Sequence, residues 1–414
     1  MTGLGSKHAV SRCALALLFL AGANETAWAQ TTAEAGTLQV KPILDTRLRY
    51  EGVDQANLDA DAVTLRLRAG MEVRSGAFSF LAEGEGTVAL VDNYNGFPFP
   101  RAGNRQFRPA SAVVSDPENL ELNRIQLQAK VNAGTVTLGR QRINLDDQRW
   151  VGSVSWRQNE QTFDAARVEA KLGPATLDLT YAAGQRTIFG DAAGPRRSYD
   201  GDFVFAGVAA PLGPIQGKLF AYLLDYDEAF LVANSSQSYG GILAAALPVG
   251  GDTTLDLRAS YARQADHGAN PFNYAADYVA LEGGTTLAGF TVAGGWEKLG
   301  SDNGRGLQTP MATLHKFNGW ADLFLTTPGW GLEDAYVTIA RRFDGVRRLP
   351  GLNASITFHQ FDSDVGDQEY GTEMDASAGF KAGKVALLLK YADYREKGFG
   401  LDTRKLWLQA DWAF

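Results

Sequence analysis

The chain has a single cysteine, Cys13, among 414 residues. Residues 30–414 contain none, so neither a disulfide framework nor a cysteine-ligated metal site can form there. Long apolar runs are equally scarce, because the stretch from Cys13 to Ala23 is too short to span a bilayer and no longer one follows it. The composition therefore excludes helical membrane spans. It does not exclude a membrane barrel, whose strands are individually too short to appear as long apolar runs.

The first 29 residues have the features of a secretory signal peptide. Lys7, His8 and Arg12 precede the apolar stretch, and Ala27-Trp28-Ala29 places small residues at the two positions that a signal peptidase inspects. We therefore expect cleavage after Ala29, which leaves residues 30–414 as a single β-barrel domain.

The last twelve residues alternate strictly between two kinds of side chain. Leu406, Leu408, Ala410, Trp412 and Phe414 fall on one face, and Lys405, Trp407, Gln409 and Asp411 fall on the other. Such a strand lies between lipid and water, and an aromatic residue at its end is typical of outer-membrane barrels, whose terminal strand is read by the barrel assembly machinery. An edge strand of a soluble sandwich is the alternative, but the same alternation recurs along the chain.

Period-two segments predict about 18 strands, of which the first two cover residues 38–51 and 62–74. Tight turns such as Ser75-Gly76 and Gly173-Pro174 alternate with links of about eight to about thirty residues, as short periplasmic turns and longer external loops do. The predicted fold class is all-β: a transmembrane antiparallel β-barrel of about 18 strands. We expect it to be a monomer that contacts outer-membrane lipid.

Charged residues on the predicted strands share one face. A basic side chain at the bilayer midplane costs about 2 to 4 kcal/mol, so the arginines are expected to face the lumen. The lumen-facing set is Arg47, Arg49, Arg66, Arg68 and Arg124, with Glu83 and Glu85 beside them by parity. Opposed charges brace the interior of any large barrel. Guanidinium groups also bind carboxylates bidentately and stay charged, so the same arginines could receive an anionic solute.

Two stretches of the sequence carry a family resemblance. Residues 137–165 read TLGRQRINLDDQRWVGSVSWRQNEQTFDA, and residues 315–322 read HKFNGWAD, followed by FLTTP at 324–328 and GLED at 331–334. Both stretches resemble the signature of the alginate export porin family. The resemblance implies an 18-stranded monomeric barrel with an arginine-rich constriction that passes an acidic uronate polysaccharide.

By this resemblance, four arginines lie at or above the constriction and three acidic residues orient them. The arginines are Arg140, Arg142, Arg149 and Arg157, and the acids are Asp146, Asp147 and Glu160. The loop from Ile143 to Thr162 carries charges of both signs and two tryptophans, so we expect it to fold into the lumen. A purely structural role, with Trp150 and Trp156 as packing anchors, is compatible with this placement.

The predicted function is an outer-membrane channel for anionic saccharides, and a diffusion channel for small organic or sugar acids is the alternative. A hydrolase would need a serine beside His267, His315 or His359, and no motif supplies one, so no enzymatic activity is predicted. Asp362, Asp364, Asp367 and Glu369 lack the ordered spacing of a calcium loop and suit a solvated acidic loop better. No metal, cofactor or nucleic-acid partner is predicted.

Overall fold

A computed structural model describes residues 37–251 and 253–413 and contains one closed antiparallel sheet of 18 strands. The predicted signal peptide, residues 1–29, and Phe414 lie outside the described residues. The strands are β1 Gln39–Gln55, β2 Leu58–Ser75, β3 Phe78–Asn93, β4 Asn119–Val131, β5 Gly134–Gln141, β6 Thr162–Leu172, β7 Ala175–Arg186, β8 Ser198–Leu212, β9 Ile215–Tyr226, β10 Ser236–Gly250, β11 Thr253–Asp266, β12 Ala275–Leu287, β13 Phe290–Leu299, β14 Leu332–Arg342, β15 Asn353–Asp362, β16 Glu369–Ala382, β17 Val385–Glu396 and β18 Thr403–Ala413. Each strand pairs with the next, and β1 pairs with β18, where Arg47 lies opposite Asp411. The predicted fold class and strand number are confirmed.

The two faces of the barrel follow the period of two in the sequence. On β18, Leu406 and Leu408 are exposed on the outer face at 37% and 49%, whereas Lys405 and Trp407 are buried on the inner face. The other strands repeat this division, with leucine, valine and phenylalanine outside. Among the described residues no helix has the length and apolar character needed to cross a membrane.

Glycine closes the turns on one side of the barrel. Gly76 between β2 and β3 and Gly173 between β6 and β7 have φ angles of +55° and +62°, which residues with a Cβ rarely adopt. These connections are as short as the sequence predicts, and they leave the longer links on the opposite, external side.

The first external link differs from the prediction. The sequence predicts a link between residues 51 and 62, but β1 and β2 continue into a hairpin whose only turn residues are Ala56 and Asn57. Val53 and Ala60, on these extended ends, pack in one cluster with Tyr94 from the next external link. Because these apolar side chains are buried, the two strands continue beyond the segments in which polar and apolar residues alternate.

The apolar core lies inside the barrel. Trp150 and Trp156 from residues 142–161, and Trp320 and Phe324 from residues 300–331, are buried in one cluster with inward-facing rings of the strands. The expected inward fold of the loop from Ile143 to Thr162 is confirmed by this burial. Residues 300–331 fold inward as well, and the sequence alone did not predict that.

Candidate functional site in the barrel lumen

The first lumenal loop, residues 142–161, crosses the barrel from wall to wall. On one side, the Trp156 carbonyl accepts a hydrogen bond from Arg47 Nη1 of β1 at 3.0 Å. On the other side, the Asp146 carboxylate lies 2.7 Å from Lys218 Nζ of β9. Because β1 and β9 lie on opposite sides of an 18-stranded ring, the loop lies across the lumen.

The second lumenal loop, residues 300–331, is bonded to the first through backbone groups. Gly152 N donates to Met311 O at 2.9 Å, and Thr313 N donates to Gln148 O at 3.1 Å. The approach is close, since a Cβ added to Gly152 would lie 2.3 Å from Thr313 Oγ1. Together the two loops form a partition across the lumen, and we use that name for them below.

The predicted arginines of β1 and β2 face the lumen, and each is paired with a carboxylate. The pairs are Arg47 with Asp411 at 2.6 Å, Arg49 with Asp116 at 3.3 Å, Arg66 with Asp45, and Arg68 with Glu85. Arg49 and Arg66 are 0% and 1% exposed, and the Arg49 guanidinium lies 4.1 Å from the centroid of a Trp156 ring. Arg47, Arg49 and Arg68 also contact the first lumenal loop and so connect the wall to the partition, whereas Arg66 pairs within the wall.

Glu160 is the acid at the centre of the loop's contact with this wall. Its Oε1 lies 2.7 Å from Arg68 Nη1, and its Oε2 pairs with Arg142. Glu83 binds Arg124 at 2.7 Å and Arg142 at 3.3 Å, so Arg142 lies between two carboxylates. Burial alone would raise the pKa of Glu160, but the surrounding guanidinium groups, above all Arg142 and Arg68, outweigh burial and lower the pKa to about 2.

Asp146 and Asp147 do not orient the arginines of their own loop through ion pairs, in contrast to the expectation from the resemblance. Asp146 binds Lys218 of β9, and the Asp147 carboxylate lies 2.6 Å from Arg258 Nη1 of β11. Asp146 has a φ of +52°, a left-handed conformation in a turn that includes Gln148. Both carboxylates therefore anchor the loop to the far wall.

Arg149 and Arg157 are buried in the partition at 2% and 5% exposure. Arg149 Nε lies 2.9 Å from Glu297 Oε1 of β13. Arg157 lies 3.1 Å from Glu51 of β1 and 2.9 Å from Asp322 of the second lumenal loop. Arg157 thus joins the barrel wall and both loops.

Arg140 does not line the lumen, and its predicted place there is wrong. It lies opposite Ile125 of β4 and shares a face with Leu138, two side chains that are 40% and 49% exposed on the outer surface. Its guanidinium pairs with Asp164 of β6 at 2.8 Å. This partner, near the external end of β6, offsets the cost of an outward-facing charge.

Lys390 of β17 is a residue that the site prediction missed. Its Nζ lies 2.9 Å from His315 Nε2 and within 4.0 Å and 3.6 Å of the ring centroids of Trp156 and Trp320. One buried ammonium group thus contacts both lumenal loops. The alternation of β17 puts Lys390 inside, but no local pattern shows that two distant tryptophans meet there.

Cavities lie on both sides of the partition. The external cavity has a volume of about 380 Å³, and its lining includes Arg157, Asp322 and Lys405. The periplasmic vestibule has a volume of about 810 Å³ and is lined in part by Lys130 and Lys171. Neither of these two lysine side chains has a carboxylate or hydrogen-bond partner within the described part of the chain.

Among curated protein sequences, none is similar enough to count as a match. The chain is similar in fold to three solved structures: OccAB4 of Acinetobacter baumannii (13% identity, TM-score 0.69), OpdK of Pseudomonas aeruginosa with vanillate (17%, 0.68) and OpdO of Pseudomonas aeruginosa (15%, 0.67). The alignments cover 92%, 91% and 91% of this chain and 98%, 98% and 97% of the others.

The family comparison matches the sequence itself. The model described as "Alginate export" matches residues 55–313, more than half of the chain, and this span includes the whole first lumenal loop. The chain therefore belongs to the Alginate export family and is a porin of the bacterial outer membrane.

Proposed function

We propose that this porin passes anionic solutes, and that small organic acids and sugar acids are its substrates. The observation that carries the proposal is the pair of unpartnered lysines, Lys130 and Lys171, in the periplasmic vestibule. Among the other charges there, Asp146 pairs with Lys218, and Glu169 and Asp178 share Arg167 at 3.0 Å and 2.6 Å, which makes four cations against three carboxylates. The vestibule therefore offers net positive charge to a solute.

The sizes of the cavities favour small solutes. The external cavity, at about 380 Å³, is within the range of pockets that enclose a small molecule. A polymer would require both lumenal loops to leave the lumen together, whereas a small acid needs a narrow path past the partition. Size selection thus comes from the loops, and charge selection from the side chains around them.

An acidic polysaccharide is the second candidate, and the family match supports it. The paired arginines of the wall and of the first lumenal loop would then exchange their internal carboxylates for uronate carboxylates as the polysaccharide moved past them. Arg142, between Glu83 and Glu160, has the geometry for such an exchange.

Ion selectivity of the purified protein in planar bilayers tests the charge argument. The reversal potential in a salt gradient should show preference for anions, and high salt should weaken it because the screening length shortens. The double variant Lys130→Gln and Lys171→Gln should lose much of this preference, whereas Lys397→Gln at the exposed external rim should retain it. Cation selectivity of the parent protein would overturn the proposal.

Substrate size separates the two candidates. Glucuronate and vanillate should carry current through a small-acid channel, and vanillate is a useful probe because a barrel of the same fold was solved with it. Oligouronates should block a polysaccharide channel in resolved events and should leave a small-acid channel unaffected or be conducted by it.

Transport is also the role that the histidines favour over catalysis. His315 Nδ1 contacts Asp322 at 2.7 Å, and His359 Nδ1 contacts Asp334 at 2.9 Å. Among the described residues, no serine hydroxyl is a hydrogen-bond partner of either ring. We therefore assign the two imidazoles to the charge network of the lumen.

A further inference from the structure

Asp322 of the second lumenal loop lies among three nitrogen donors at the external cavity. Its Oδ2 is 2.9 Å from Arg157 Nη2 and 2.8 Å from Lys405 Nζ, and its Oδ1 is 2.7 Å from His315 Nδ1. The side chain is only 4% exposed, yet it lines the external cavity together with these three partners. Three donors from the first loop, the second loop and β18 thus converge on one carboxylate.

The backbone that presents this carboxylate is in the left-handed region at three positions. Asp322 has a φ of +64°, and Asn318 and Gly319 have φ angles of +55° and +82°. Glycine adopts this region freely, and Asn and Asp are the side chains that tolerate it best, so these three residue types suit the turn. The contacts of Asp322 with Arg157 and Lys405 tie the turn to the first loop and to β18 and so help to hold the second loop in its inward position.

We propose that Asp322 is a tethered surrogate for the transported anion, and that a solute carboxylate opens the partition by displacing it from Arg157 and Lys405. This inference rests on the proposed function, because it takes the solute to be a small carboxylate that enters the external cavity. After the exchange, Asp322 no longer ties the second loop to the first loop and to β18.

The exchange is selective because only an anionic solute keeps Lys405 paired with a carboxylate when Asp322 leaves it. Lys405 is 7% exposed and, among the described residues, pairs with Asp322 alone, so this cation would be costly to leave without an anion, whereas Arg157 keeps Glu51. A solute carboxylate replaces the one it displaces, whereas a neutral sugar of the same size does not. The solute shifts the equilibrium because it binds only the state from which Asp322 has moved.

Asp322→Asn tests the proposal, with Asp367→Asn as the matched control. Asparagine tolerates the left-handed backbone and keeps the size of the side chain, but it removes the charge. Asp367 also has a positive φ, +50°, but it is exposed in the external link between β15 and β16. The measurement is the fraction of time that single channels spend open, without solute and with glucuronate or glucose on the external side.

Glucuronate should raise the open fraction of the parent protein, and glucose should not. Asp322→Asn should raise the open fraction about tenfold or more without solute, as expected for loss of a charge-assisted contact, and should abolish the response to glucuronate. Asp367→Asn should behave as the parent. An unaltered open fraction and glucuronate response in Asp322→Asn would overturn the inference, as would an equal change in Asp367→Asn.

Two measurements on the parent protein complete the test. If Asp322→Asn fails to insert, the parent protein alone suffices, because equal responses to glucuronate and glucose would overturn the inference. Anion selectivity of the parent reports on the proposed function and requires no variant at Asp322. If the parent is anion-selective but Asp322→Asn leaves its gating unchanged, the surrogate role is refuted and the proposed function is not.

Discussion

Replacing Glu160 by glutamine should release the first lumenal loop from the β1 to β5 side of the barrel. The carboxylate is 1% exposed and binds Arg68 at 2.7 Å through one oxygen and Arg142 through the other. Glutamine has nearly the same size, so the substitution removes the charge and leaves the packing volume almost unchanged. The buried Arg68 and the partly exposed Arg142 then lose one of the carboxylates that they share.

The magnitude follows from the burial of this network. Removing one partner from a buried ion pair costs about 3 to 5 kcal/mol, since the other charge remains without its counterion. At about 1.4 kcal/mol per factor of ten, the ratio of inward to released loop should fall roughly one-hundred-fold to several-thousand-fold. Arg68 keeps Glu85 and Arg142 keeps Glu83, so the lower part of this range is expected.

Trypsin digestion of the protein in lipid vesicles measures the release. The loop carries Arg149 and Arg157, which are buried in the parent and should be cut only in the Glu160→Gln variant, with fragments identified by mass spectrometry. Glu369→Gln is the control, because among the described residues Glu369 forms an ion pair with Lys397 alone, at the exposed external rim. If both variants resist trypsin as the parent does, Glu160 does not hold the loop and the energetic argument is wrong.

Two other outcomes follow from the placement of single side chains. Arg140→Ala should leave the reversal potential unchanged, because Arg140 lies on the outer face, and a clear loss of anion selectivity would contradict that placement. Burial, reinforced by the Lys390 ammonium, lowers the pKa of His315 well below 6.5, so the inward loop holds this ring neutral and a released loop lets it take up a proton. The stabilisation is therefore complete above pH 6.5 and declines as pH falls, so the open fraction should rise between pH 7 and pH 5 by at most about tenfold per pH unit from this group. His315→Gln should reduce that rise, and an equal rise in this variant would assign the effect to other groups.

The alternation of the strands was sufficient to predict the barrel, its strand number and the inward facing of most charges. The physical cause is the cost of charge in lipid, which acts on each residue separately and can be read locally. The same alternation puts Arg140 on the face of Leu138, and the family resemblance, which carries no information about facing, placed it wrongly. For Arg140, the alternation of β5 predicts the side on which the residue lies better than the resemblance does.

The partners of the arginines could not be read from the sequence. Arg49 meets Asp116, Arg149 meets Glu297 and Arg157 meets Asp322, pairs whose members come from separate strands and loops. Local patterns give no distance between such segments, and the sequence of residues 300–331 did not predict that the second lumenal loop folds inward. The tryptophans indicated burial but not which wall would receive them.

The backbone bonds between the two lumenal loops make each loop part of the other's binding site. Gly152 and Thr313 are so close that neither loop can leave without breaking the contact for both. Such a pair behaves as one cooperative unit with two states, and independent flaps would produce three or more. The unitary current should therefore switch between two levels, and a bulky residue at position 152, though it lies in the first loop, should act by expelling the second.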